Sequence, residues 1–116
     1  MLRTDNGGEF CKKEIEGFCK KCGIAQEKTT PYTPQQNKVA ERMNRTLMKK
    51  ARSMLSGTGL GQEFWAEAVE TACYLVNRSP SSVLEDKTPH EVWTGKIPSL
   101  SHLRVFGCDA YVHVPK

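Results

Sequence analysis

Two carboxylates stand where side chains could do chemistry. Asp5 closes Leu2-Arg3-Thr4, which reads as the tail of a strand, and Asn6-Gly7-Gly8 then breaks the chain into a turn. Side chains at such strand ends face a cleft while the scaffold stays rigid. Glu41 is the one acid between Asn37 and Ser56, a stretch with six basic residues: Lys38, Arg42, Arg45, Lys49, Lys50 and Arg52. One reading makes Glu41 a salt-bridge partner, for example of Arg45 at i+4. The other makes it a metal ligand. Mg²⁺ takes one or two protein carboxylates and leaves its other positions to water and phosphate oxygens. Two such ions about 3.5–4 Å apart clamp the attacking and leaving oxygens of an in-line phosphoryl transfer. On that reading Arg42 and Arg45, one turn from Glu41, hold the phosphate backbone nearby.

The charge distribution sharpens this. The chain of 116 residues carries a net +4, while the 37–56 segment alone carries +5 and the remainder −1. All the positive excess lies on one segment. That is either the electrostatic footprint of a polyanion or an ordinary solvated helix face. Length allows one small domain, and an apolar content of 38 % leaves little core to spare. Neither a signal peptide nor a membrane-spanning apolar run is visible, so the sequence reads as a soluble intracellular chain. Five cysteines are then expected to be reduced. Cys19-Lys20-Lys21-Cys22 has C-x-x-C spacing, but no second pair completes a tetrahedral zinc site. Cys11, Ile15, Phe18 and Cys22 share one helical face instead, and we read the cysteines as core residues.

Positioning these groups requires a particular order of elements. Glu9 to Cys22 reads as an amphipathic helix stopped by Gly23, and Ile24 to Lys28 as a short strand. Thr33-Pro34-Gln35-Gln36 carries a capping signature. The helix after it has an apolar stripe of Val39, Met43, Leu47, Ala51 and Met54, places Glu41 two turns in, and ends at Ser56 to Gly61. A third helix is expected from Gln62 to Asn77, with Trp65, Ala68, Val69, Ala72, Cys73 and Val76 along one side. Thr88-Pro89-His90-Glu91 caps a short helix through Trp93 that stops at Gly95. Both tryptophans read as core anchors. From Phe106 to Val114 apolar and polar residues alternate, which predicts a half-buried strand. The first strand has no hairpin partner in the sequence, so the chain is expected to start partway through a larger α/β domain. His90, His102 and His113 are scattered and are not expected to be ligands.

Thr4-Asp5-Asn6-Gly7-Gly8-Glu9-Phe10 resembles the D-N-G-x-E-F motif of retroelement integrases, and the 35 residues between Asp5 and Glu41 match that family's D-D-35-E spacing. Thr30 to Asn37, Val39 to Leu47, Phe64-Trp65-Ala66-Glu67-Ala68, Tyr74 to Arg78, Thr88-Pro89 and Leu103 to Cys108 resemble the copia-type retrotransposon version in particular. The resemblance covers nearly the whole chain. It implies a partial RNase H-like α/β fold that is helix-rich and lacks the N-terminal strands. Residues 1–80 would be the C-terminal part of an integrase catalytic core, and 81–116 a connector helix and strand leaving it.

The same resemblance implies Mg²⁺- or Mn²⁺-dependent nicking of element ends and strand transfer into target DNA by the parent protein. Asp5 and Glu41 take the places of the second catalytic Asp and the catalytic Glu. The family sets bases of the Glu-bearing helix against DNA ends, and Arg45 is the closest match, with Met48 rather than a base two turns past Glu41 and Lys49 beside it; with Lys38, Arg42 and Arg52 of the same basic segment these are the expected nucleic-acid contacts. DNA is the implied partner, self-association stays open, no membrane is involved, and the nucleus is the implied location. The sequence departs from the family in three places. The first catalytic Asp belongs upstream of Asp5, and Asp86 and Asp109 come too late to replace it. The family's amino-terminal zinc-binding domain has no counterpart. Position 38 is Lys where the family usually has Gly, which exchanges backbone freedom for a phosphate contact. The chain alone is therefore expected to bind nucleic acid without cutting it. A non-catalytic nucleic-acid-binding or protein-interaction remnant is the other reading.

Overall fold

A computed structural model describes residues 1–5, 7–8, 12–28 and 37–116. The chain divides into two compact units, Met1–Asn44 and Arg45–Lys116. In the first, β1 (Leu2–Thr4) and β2 (Gln26–Lys28) pair in parallel with Leu2 opposite Gln26, Arg3 opposite Glu27 and Thr4 opposite Lys28. Parallel strands need a crossover, and α1 (Lys13–Lys21) supplies it. Acids in the first turn of α1 and lysines in its last suit the helix dipole. Gly23, at φ +67°, turns the chain out of the helix as expected. Arg3 meets Glu27 across the strands at 3.0 Å, and Lys28 ties β2 to Glu16 of α1 at 3.1 Å.

α1 presents a different face inward from the one its pattern suggests. Cys19 is buried and Ile15 half-buried, whereas Phe18 is 61 % exposed and Cys22 is exposed. The stripe of Cys11, Ile15, Phe18 and Cys22 is thus not the core face, and Cys11 lies outside the described residues. One residue is about 100° of helix rotation. The inward line of α1 is Ile15–Cys19 instead. Among the described cysteines all are free thiols.

α2 (Lys38–Thr58) is the longest element. Its expected cap, Thr33 to Gln36, lies outside the described residues. Glu41 falls in its first turn, not two turns in. Burial follows the expected stripe only in the second half. Ala51 is buried, Leu47 and Met54 are half-buried, and Leu55 joins them, but Val39 and Met43 are exposed.

The second unit is built on the later part of α2 and on α3 (Trp65–Asn77), which a 3₁₀ turn over Gln62–Phe64 introduces. Ala51, Leu55 and Ala68 form its buried centre, with Leu60, Trp65, Val69 and Phe106 packed around them. Ala72 is also buried, while Cys73 faces solvent against expectation. A 3₁₀ turn at Ser82–Leu84 leads to α4 (Pro89–Thr94). The Thr88 hydroxyl accepts the Glu91 N–H at 3.0 Å, Pro89 opens the helix, and Gly95 at φ +74° ends it. This helix starts and stops where its capping residues predict.

Two expectations for the C-terminal part fail. Trp93 is 89 % exposed and anchors no core, because a helix of six residues leaves one of its faces uncovered here. Phe106 to Val114 forms no strand, and Tyr111, Val112 and Val114 are exposed. Alternation marks a chain suited to pairing, but a strand exists only against a neighbour, and none lies alongside among the described residues. Phe106 does pack inward, and Gly107 lies against the end of α2. No helix among the described residues is long and apolar enough to cross a membrane.

Candidate functional site

Asp5 follows the last residue of β1, where Thr4 is buried and Asp5 is already exposed. The backbone N–H of Gly7 donates to Asp5 Oδ1 at 2.9 Å, so the carboxylate shapes its own turn through a local side-chain bond. One of its oxygens is engaged in this way. A second oxygen acceptor remains on the same carboxylate.

Glu41 is exposed, and neither it nor Arg45 enters an ion pair among the described residues. The i+4 salt bridge that the spacing allows is therefore not formed. No group of three or more His, Cys, Asp or Glu side chains able to hold a metal occurs among the described residues. Asp5 and Glu41 both belong to the first unit, and both are open to solvent. Carboxylate oxygens are donors of the type a hard cation such as Mg²⁺ takes, one or two at a time, and not the four-ligand set of a structural zinc ion.

The bases form a surface of their own. Lys38, Arg42, Arg45, Lys49 and Arg52 follow one another at alternating steps of four and three, and all five are exposed. Such steps keep residues on one side of a helix. They fall within an arc of roughly 80°, and Glu41 lies about 20° beyond its edge. On the far side of Glu41 come Met48 and the buried Leu55. The acid thus marks the border between the core face of α2 and its basic face. At about 1.5 Å per residue the stripe runs for about 21 Å. Lys50, the sixth base of the segment, points away from it.

The structure also joins residues that the sequence reading leaves apart. The Tyr74 hydroxyl and His102 Nε2 are 2.6 Å apart, and the two rings meet edge to face. The Arg78 guanidinium lies 3.5 Å from the centre of the Tyr74 ring and donates to the Tyr74 carbonyl at 3.3 Å. The Tyr-x-x-x-Arg spacing signals the second contact, since i and i+4 share a helix face. Nothing local signals His102.

No protein-family model matches the chain. In sequence it is 59 % identical over 115 residues to the retrovirus-related Pol polyprotein from transposon TNT 1-94 of Nicotiana tabacum. That alignment takes in 99 % of this chain and 9 % of the tobacco protein, so the chain spans under a tenth of that relative. In structure it resembles the catalytic core domain of BIV integrase, with a TM-score of 0.59 and 29 % identity over 81 % of this chain and 59 % of that one. A simian T-cell lymphotropic virus intasome, solved in complex with the PP2A regulatory subunit B56 gamma, shares the fold at a TM-score of 0.65. There the identity is 20 %, and the match covers 93 % of this chain and 43 % of that chain.

Proposed function

The chain belongs with the integrase catalytic cores of retrovirus-related Pol polyproteins, in sequence and in its RNase H-like fold, and from this we propose that it is a piece of the DNA-joining machinery of a copia-type element. The observation that carries the proposal is the basic stripe of α2 beside Glu41. Five exposed cations on one line suit the regularly spaced charges of a nucleic-acid backbone. Phosphate contacts fix position and register without reading sequence, so binding should be indifferent to sequence.

Asp5 and Glu41 are the residues we assign to a divalent cation, Mg²⁺ or Mn²⁺, in the parent protein. When bound there, such an ion stabilises charge on phosphate oxygens as a Lewis acid. The chain's own contribution is to present the two carboxylates from a rigid strand end and a helix turn. The bases next to Glu41 hold the phosphate chain against that edge. The parent's substrates would be element ends and target DNA, met in the nucleus by self-associated copies.

Binding across a salt series tests the stripe. Fluorescence anisotropy with a labelled duplex should show affinity falling steeply as salt rises. Replacing Arg42, Arg45 and Lys49 by Ala should reduce the log–log slope by about 2.7, at roughly 0.9 for each phosphate no longer neutralised. An unchanged slope would remove this helix from the interface.

A further inference from the structure

A recess opens where the basic stripe ends. Arg52, Leu55 and Ser56 of α2, Leu60 of the following turn, and Gln62 and Trp65 at the start of α3 line a cavity of about 370 Å³. An adjoining depression is bounded by the same Arg52, Gln62 and Trp65. Trp65 is half-buried and packs against the Ala51–Leu55–Ala68 centre, so the core backs the indole while the rest of it bounds the recess. Arg52 and Gln62 are exposed, and Arg52 forms no ion pair among the described residues.

We propose that this recess is a subsite for an unpaired nucleobase, taken from a single strand whose phosphates follow the stripe of α2. The proposal rests on the phosphate-binding reading above and adds a ligand chemistry to it. Three features of the lining match three features of an unpaired base. Trp65, packed against the core and lining the recess, supplies an aromatic side chain for stacking, which serves every base because each has a π-face. The Gln62 carboxamide carries both donors and an acceptor, as the edge of a base requires. Arg52 continues the line of cations, so it can take the adjoining phosphate or stack on the base. The volume suits a small planar group, near the lower end of ligand cavities. Paired bases inside a duplex hide their faces from such a wall, so the subsite selects frayed or single-stranded nucleic acid.

The test uses the full chain carrying Trp93→Phe. The sequence has two tryptophans and Trp93 is exposed, so this leaves Trp65 as the sole indole with the core intact. Three probes of equal length are compared across one salt series: oligothymidylate, an abasic deoxyribose-phosphate oligomer and a duplex. Oligothymidylate should quench Trp65 emission and bind about tenfold more tightly than the abasic oligomer, the gain expected of one stacked base. Trp65→Leu and Gln62→Ala should each shrink that advantage and leave abasic binding unchanged. Equal affinities without quenching would overturn the subsite while leaving the phosphate stripe standing. Quenching by oligothymidylate with a flat salt dependence would uphold the subsite and overturn the stripe. Failure of all three probes to bind would overturn both. The comparison of probes on the unchanged Trp65 protein decides the matter even if a substitution there disturbs folding.

Discussion

Gly107 lies at φ +79°, and a methyl group built on it would stand 2.5 Å from Thr58 Cγ2 and 2.8 Å from its Cβ. Both the backbone conformation and the space therefore call for glycine. Gly107→Ala should cost about 1–3 kcal/mol, read from the urea midpoint, because strain and overlap act together. An opposite case occurs at Asp86, where φ is +63° in a non-glycine residue next to Glu85 at φ +53°. Left-handed backbone costs an ordinary L-residue roughly 1–2 kcal/mol, so Asp86→Gly should recover part of that strain and raise the midpoint. A fall in stability would mean that the Asp86 side chain contributes more than its backbone costs. The functional residues behave differently from these two. Asp5 and Glu41 are exposed, so Glu41→Gln should leave stability within about 0.5 kcal/mol of the parent, as for an ordinary surface substitution.

At the scale of elements, α4 is held by its cap. Thr88→Ala should cost about 1 kcal/mol and speed hydrogen exchange in residues 89–94, whereas Thr88→Ser should behave like the parent. This helix is fully legible in the sequence, since Thr88, Pro89 and Gly95 act on their own backbone and need no neighbour. The basic line on α2 is legible for a similar reason: a helix turns spacing into direction. Burial is legible only where a partner is present. Leu47, Ala51 and Met54 behave as their periodicity indicates, while Val39 and Met43 repeat the same pattern and remain exposed. Trp93 and the segment after Gly107 fail likewise, because periodicity reports a willingness to pack and says nothing of what stands opposite. The recess beside Trp65 has no sequence signal at all. It exists because the turn at 58–61 brings Gln62 and Trp65 back beside Arg52.

For the molecule as a whole, affinity and chemistry separate. The stripe needs only α2, whereas the metal role proposed for Asp5 and Glu41 rests on two exposed carboxylates. No third acidic, histidine or cysteine ligand joins a metal-binding group among the described residues. These 116 residues alone should bind DNA at low salt and leave supercoiled plasmid intact in Mn²⁺. Nicking that disappears in Glu41→Gln would show that two carboxylates suffice.

The packing of Phe106 and Gly107 within the second unit has one more consequence, for how the chain meets a protease. Phe106 is half-buried against the Ala51–Leu55–Ala68 cluster, while Tyr111, five residues on, is 93 % exposed and outside any helix or strand. Chymotrypsin prefers both side chains, yet only one can enter its pocket without unfolding the substrate. Of these two bonds, the one after Tyr111 should therefore be cut first and the one after Phe106 spared until denaturant opens the core. The ratio of those two cuts is then a simple gauge of whether the second unit is folded.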